Sequence, residues 1–206
     1  MKSVFSHRAK LLIALIAICF SSAAFGDVQI EPTWVKDGVN WSQYSKFLVK
    51  PLNVDDVKIV KPPWAQDDPS EWTLDIQDLE SMQALFRDVM REVLSGNGGY
   101  PLVYADGKDV LEVEVEFLNI MPWLKPGTGS EIEGHEVKTL GSGEITARVE
   151  LRDSQTRELL LLIEGDKAVG EQYKQFTVDN NISNVQYMFT RFATRLRNSM
   201  DRVHGK

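Results

Sequence analysis

The chain has 206 residues, 30 of them acidic and 23 basic, for a formal net charge of −7. That balance argues against nucleic acid or an anionic membrane as an electrostatic partner, because neutralising phosphate needs a cationic footprint. The one cysteine, Cys19, falls in an N-terminal leader, so the remainder offers no thiol for a disulfide framework, a thiolate nucleophile or a thiolate metal site.

Residues 1–26 read as a secretory signal peptide. Lys2, Arg8 and Lys10 precede the apolar run Leu11 to Phe20, and Ala24-Phe25-Gly26 places small residues at the two positions read by signal peptidase, which puts cleavage after Gly26. The run is too short for a comfortable permanent anchor. Ile16-Ala17-Ile18 precedes Cys19 with bulky Ile18 where a lipidation box needs a small residue. The expected location is therefore the periplasm, with membrane association only through lipidation at Cys19. Removing the leader leaves 20 basic against 30 acidic residues, a net charge of −10. The rest is long enough to bury one core without staples. The expected organisation is an N-terminal arm over 27–43 and a single domain over 44–206.

Residues 27–43 contain Trp34 and Trp41 without a sustained period and read as an extended arm. Tyr44 to Leu52 predicts a first strand that Pro51 makes an edge or an end. Val54 to Val60 predicts a second short extended piece, broken by Lys61-Pro62-Pro63-Trp64 and Asp67-Asp68-Pro69. Leu79, Met82, Leu85, Phe86, Val89, Met90 and Val93 recur at helical spacing, with Asp75 or Thr73 as the cap and Gly96 or the Asn97-Gly98-Gly99 run as the stop. Tyr100 to Tyr104 reads as a short strand. Leu111 to Phe117 alternates strictly, with Leu111, Val113, Val115 and Phe117 on one face and Glu112, Glu114 and Glu116 on a solvated or Arg-paired one, as expected of an inner strand on a core.

Residues 124–143 are Gly-rich and read as a loop or splayed hairpin end. Ile145 to Leu151 alternates as the next strand, and its Arg148 and Arg152 are placed to pair with the acidic face of Glu112 to Glu116. Leu159 to Ile163 is apolar on both faces, so it is expected to meet the arm or a partner. Asp166 to Asp179 is ambiguous. Val185, Met188, Phe189, Phe192, Ala193, Leu196 and Met200 form the stripe of a last helix, capped by Asn181 or Ser183, with Arg191, Arg195, Arg197 and Arg202 on a solvated face. The pattern predicts an α+β fold, a mostly antiparallel sheet of about four to five strands with two amphipathic helices packed on one face.

Chemistry-bearing motifs are sparse. Glu131, Glu133, His135 and Glu136 are donors close in sequence but lack the spacing of a regular metal site. Neither Asn97-Gly98-Gly99 nor Gly127-Thr128-Gly129-Ser130 completes a phosphate-binding motif, so both read as turns. No nucleophile elbow is present, and no cofactor is expected. What remains is an aromatic patch on loops: Trp64, Trp72 and Trp123, with His135, are the candidate ligand- or partner-binding residues.

Taken together, Tyr44-Ser45-Lys46-Phe47-Leu48-Val49-Lys50-Pro51-Leu52, the strand Leu111 to Phe117, Gly143 to Leu151 followed by Asp153-Ser154-Gln155-Thr156, and the closing amphipathic helix resemble bacterial envelope proteins grouped as domain-of-unknown-function family 3313. The resemblance covers nearly the whole chain after the leader. It implies an envelope compartment and this fold. Family members are often lipoproteins, whereas the box before Cys19 is poor here, and Arg157 stands where the family's turn usually has glycine. The family carries no catalytic residues to transfer. The expected function is a non-enzymatic periplasmic or envelope-associated accessory domain, binding an envelope protein or a second copy. The alternative is a small-ligand-binding or hydrolytic protein using the loops near Trp123 and His135.

Overall fold

The main sheet is built on one long element, β4 (Val110–Pro122), which pairs directly with three of its other strands. The computed structural model describes residues 32–128, 131–132 and 135–206; the leader, Cys19 and Glu133 lie outside the described residues. On one side β4 pairs antiparallel with β8 (Gly143–Asp153), which pairs antiparallel with β9 (Leu159–Val169). On its other side β2 (Lys46–Val49) and β3 (Lys58–Ile59) lie one after the other, both parallel to it. The arm supplies β1 (Trp34–Val35), antiparallel to β9, so the main sheet has six strands and is mostly antiparallel.

The strict alternation of β4 decides the layers. Leu111, Val113, Val115 and Phe117 are buried beside Ile145, Val149, Leu151, Leu161 and Ile163 of the neighbouring strands. Two helices cover this face. From α1 (Ile76–Ser95) come Phe86, Val89, Met90 and Leu94, and from α2 (Val178–His204) come Phe189, Ala193, Leu196 and Met200, all in one apolar cluster with the sheet. Phe189 joins the layers, its ring 5.3 Å from Phe86 and stacked 6.0 Å from Phe117. Trp41 of the arm also belongs to this core.

The two helices run parallel: Phe86 meets Phe189 near their middles, while Arg197 reaches the carbonyls of Val93 and Gly96 at the end of α1. Both N-termini therefore lie at the end of the sheet where β3 and β4 finish, β8 begins and β9 ends. Two side chains from the early part of α2 fix that arrangement, because Asn181 accepts from the Ser142 hydroxyl at 2.7 Å and Asn184 donates to it at 2.8 Å.

Several local expectations are corrected. Tyr100 to Tyr104 is not a strand: Pro101 has no N–H to give, and the segment makes only one parallel bridge, Leu102 to Phe47. Of the two caps expected for α1, Asp75 is used, its N–H donating to the Asp78 carboxylate at 3.3 Å. Helix α2 begins earlier than its stripe, at Thr177, whose hydroxyl accepts from Asn180 N–H at 3.1 Å; Asn181 and Ser183 lie inside it. The stripe marks where a helix becomes buried, and the first turn of α2 is exposed.

Glu112 is Arg-paired, one of the two states expected of its face. It is only 2% exposed, and its Oε2 is paired with Arg157 and lies 3.5 Å from the Lys50 ammonium. Arg148 does pair with Glu116 at 3.2 Å, as the alternation implies, and also with Glu164 at 2.9 Å, while Arg152 pairs with Glu150. The two-faced strand β9 meets the arm through its edge, Trp34 opposite Leu162 and Val35 opposite Leu161.

Candidate functional site

Three connections meet at the end of the sheet where both helices begin: the segment from β3 to α1, the segment from β4 to β8, and the turn from β9 to α2. The second of these contains β5 (Glu131–Ile132), β6 (His135–Glu136) and β7 (Lys138–Leu140). β7 pairs antiparallel with β10 (Tyr173–Gln175) in a two-stranded ribbon, with Leu140 opposite Tyr173. Glycine lets this ribbon press against the sheet. Gly141 takes φ 73°, and a Cβ there would lie 2.3–2.4 Å from the carbonyl oxygens of Gly170 and Val169.

The aromatic residues are placed unequally. Trp64 and Trp123 come together, ring centroids 5.4 Å apart and tilted by 48°, with Trp64 60% exposed. The Trp123 indole N–H donates to Leu140 O at 2.8 Å, tying the pair to the ribbon. Trp72 reaches the same end but is buried outside the main apolar cluster, and its indole N–H has no hydrogen-bond partner among the described residues. Trp72 is only 4% exposed, unlike Trp64. His135 is exposed on β6, opposite Ile132, and makes no ring contact among the described residues.

Beside the indole pair, Lys125 is ion-paired with Glu71, and that hydrogen bond holds its ammonium pKa above the usual lysine value. Asp68 is held below the ordinary carboxylate range by hydrogen bonds from the Ser70 N–H and hydroxyl. Lys61 donates to Ala65 O at 2.7 Å, closing the loop that carries Trp64. Among the described residues no three carboxylate or imidazole groups gather as a metal site.

The sequence pattern missed the larger feature. Of the ten large apolar residues exposed among the described residues, seven lie at this end: Val60, Trp64, Ile76, Leu140, Tyr173, Val178 and Ile182. Such residues occur singly on most surfaces, whereas here seven share one end. Val178, 73% exposed, and Ile182 are one turn apart on α2, in line with its buried stripe but N-terminal to the part that the core covers. A stripe that runs on past the covered part of the helix was the available signal. This end offers exposed aromatic and branched aliphatic side chains together with the charged side chains of Lys125, Glu71 and Asp68.

No curated protein matches the chain. Among solved structures it is similar to protein XCC0632 from Xanthomonas campestris, of family DUF330, at 12% identity and a TM-score of 0.46, covering 85% of this chain and 98% of that one. It is also similar to the PelC dodecamer from Paraburkholderia phytofirmans at 9% identity and a TM-score of 0.39, covering 81% and 97% respectively. The family described as "Protein of unknown function (DUF3313)" matches residues 26–196, and the chain belongs to that family.

Proposed function

We propose that the chain is an exported, non-catalytic accessory domain of the cell envelope that docks onto another envelope component through the apolar end of its sheet. Residues 27–43 serve as its arm and 44–206 as its one domain. The observation that carries this reading is the gathering of seven exposed apolar residues where both helices begin. Aromatic anchors such as Trp64 and Tyr173 contribute most of the energy at contact surfaces of this kind. The leader read in residues 1–26 supports export. No helix of the described residues is long and apolar enough to cross a membrane.

The absence of cysteine after the leader makes a clean test. Single thiols introduced as Tyr173→Cys, Ile182→Cys and, at the opposite end, Tyr104→Cys can be labelled in intact envelopes and in purified protein with the same impermeant maleimide. Docking predicts that positions 173 and 182 are protected in the envelope and reactive once purified, while position 104, 93% exposed, labels equally in both. Equal labelling at all three positions in both settings would overturn the proposal.

A further inference from the structure

We infer that the Asn97–Gly98 peptide is a self-modification site, where the folded chain loses the Asn97 side-chain amide and gains an aspartate or isoaspartate link. Asn97 is the only asparagine in the chain that glycine follows. The structure places the pair at the tip of the turn that ends α1. The Gly99 N–H donates to Gly96 O at 3.0 Å, with φ 47° at Asn97 and φ 71° at Gly98, as in a type I′ turn. Both residues are exposed, and a Cβ on Gly98 would meet nothing within 4 Å.

The chemistry is intramolecular. Once the Gly98 N–H has given its proton to hydroxide, the nitrogen attacks the side-chain carbonyl carbon of Asn97. A C–N bond forms, the bond to the amide nitrogen breaks, and ammonia leaves a succinimide ring behind. Water then opens the ring at either carbonyl, giving aspartate through the original backbone link or isoaspartate through the side chain. No reagent besides water is consumed.

Three observations favour this reaction at position 97. The turn uses the Gly99 N–H for its closing bond, so the Gly98 N–H and the Asn97 side chain have no hydrogen-bond partner among the described residues. Glycine puts no side chain over the attacking nitrogen. Arg197 Nη2 donates to Asn97 O at 3.4 Å. That oxygen shares the negative charge of the deprotonated Gly98 amide, so the guanidinium favours the nucleophile. Lys206 adds a second cation at the turn, its ammonium donating to Gly98 O at 3.5 Å. The product therefore sets a new carboxylate beside two cations, and the isoaspartate form lengthens the backbone that they meet by one methylene.

The test is ageing of the purified, folded protein in mildly alkaline buffer, followed by isoelectric focusing, ammonia release and peptide mapping. The expected result is one more acidic species that builds up faster as pH rises, with equimolar ammonia and with aspartate and isoaspartate both mapped to position 97. The Asp-Gly pairs at Asp37 and Asp106 release no ammonia and change no charge if they cyclise, so neither contributes to these two readouts. Asn97→Gln, whose side chain must close a larger ring, and Gly98→Ala, whose methyl group shields the nitrogen, should each lose the acidic species over the period in which it becomes the major form of the unaltered chain. Circular dichroism establishes that both variants are folded. No acidic species, an acidic species that maps to another asparagine or to glutamine, or one that forms as fast in Asn97→Gln would each overturn the inference.

Discussion

Tyr44 and Asp153 join the start of the domain to the end of β8. The Tyr44 hydroxyl donates to Asp153 Oδ2 at 2.9 Å, and burial first, then this bond, push the phenol up to about 12. A proton held more tightly in the folded chain than in the unfolded one stabilises the fold fully below the unfolded phenol value and ceases to do so as pH rises through the folded value. Stability is therefore expected to fall between about pH 10 and about pH 12. Asp153 works in the opposite sense. Burial raises its pKa, but the Thr156 N–H, the Tyr44 hydroxyl and further donors from its turn outweigh that and hold it below the ordinary carboxylate value. Its contribution is present above the unfolded aspartate value and is lost as pH falls through the folded one. Denaturant midpoints measured across the alkaline window should decline less steeply for Tyr44→Phe than for the unaltered chain, and an unchanged slope would show that another group governs it. Arg157, in the same turn, adopts φ 61°, a region that costs a residue with a β-carbon roughly 1–2 kcal/mol. What offsets this is its reach to the buried Glu112 carboxylate.

Among the elements, α1 depends on α2 for its ending. The last carbonyls of a helix have no partner within it. Here Arg197 supplies one, its Nη1 donating to Gly96 O at 2.8 Å and Val93 O at 3.3 Å, while its Nε pairs with Asp201 at 2.9 Å. Gly99 leaves room for the guanidinium, since a Cβ there would lie 2.5 Å from Arg197 Nη1. Arg197→Ala should cost about 2–3 kcal/mol, as expected for charge-assisted bonds to part-buried carbonyls. Arg197→Lys should recover little, because an ammonium cannot reproduce the fork. Thermal denaturation checks both, and a loss no larger than that of an exposed substitution would rule the capping role out. The four arginines of this helix read in sequence as one solvated face, because periodicity reports which side of a helix is apolar and nothing about what lies across from its polar side. The same limit explains the rest of what was legible. Long periodic runs, Leu111 to Phe117, Ile145 to Leu151 and the two helical stripes, appear in the fold as the pattern implies. The two-residue strands β1 and β3 have no period to read. Trp72 and Trp64 sit in similar polar loops, yet one is buried and the other exposed, since loop burial is set by tertiary packing. Trp64 and Trp123 were legible as aromatics on loops; their meeting was not, because it depends on β3 and β4 ending side by side.

Across the whole molecule the two ends differ in what holds them. At the end where the helices finish, Tyr44 with Asp153, Tyr100 with Asp201, Ser154 with Gly107 and Arg197 with the α1 carbonyls knit chain segments far apart in sequence. At the other end the β7–β10 ribbon has only three register pairs and is joined to the rest through backbone bonds such as Ser142 N–H to Val169 O and through the Trp123 indole and the Asn180 amide, which donate to Leu140 O and Gln175 O. Local opening costs least where buried apolar contacts are few, so this end should open independently of the core. Gly141→Ala tests that separation. Its β-carbon would collide with two backbone oxygens that no rotamer change can move, and φ 73° disfavours it further. The strain falls on the ribbon, while the cluster around Phe86, Phe117 and Phe189 is untouched. Hydrogen exchange should accelerate in residues 138–142 and 172–176 while the most protected amides of β4 and β8 keep their rates. The same variant should lose protection of a thiol at position 173 in envelopes, because the ribbon that presents that residue no longer holds its place. If exchange accelerated equally in β4, the ribbon and the core would form one cooperative unit, and the apolar end would be as rigid as the sheet it grows from.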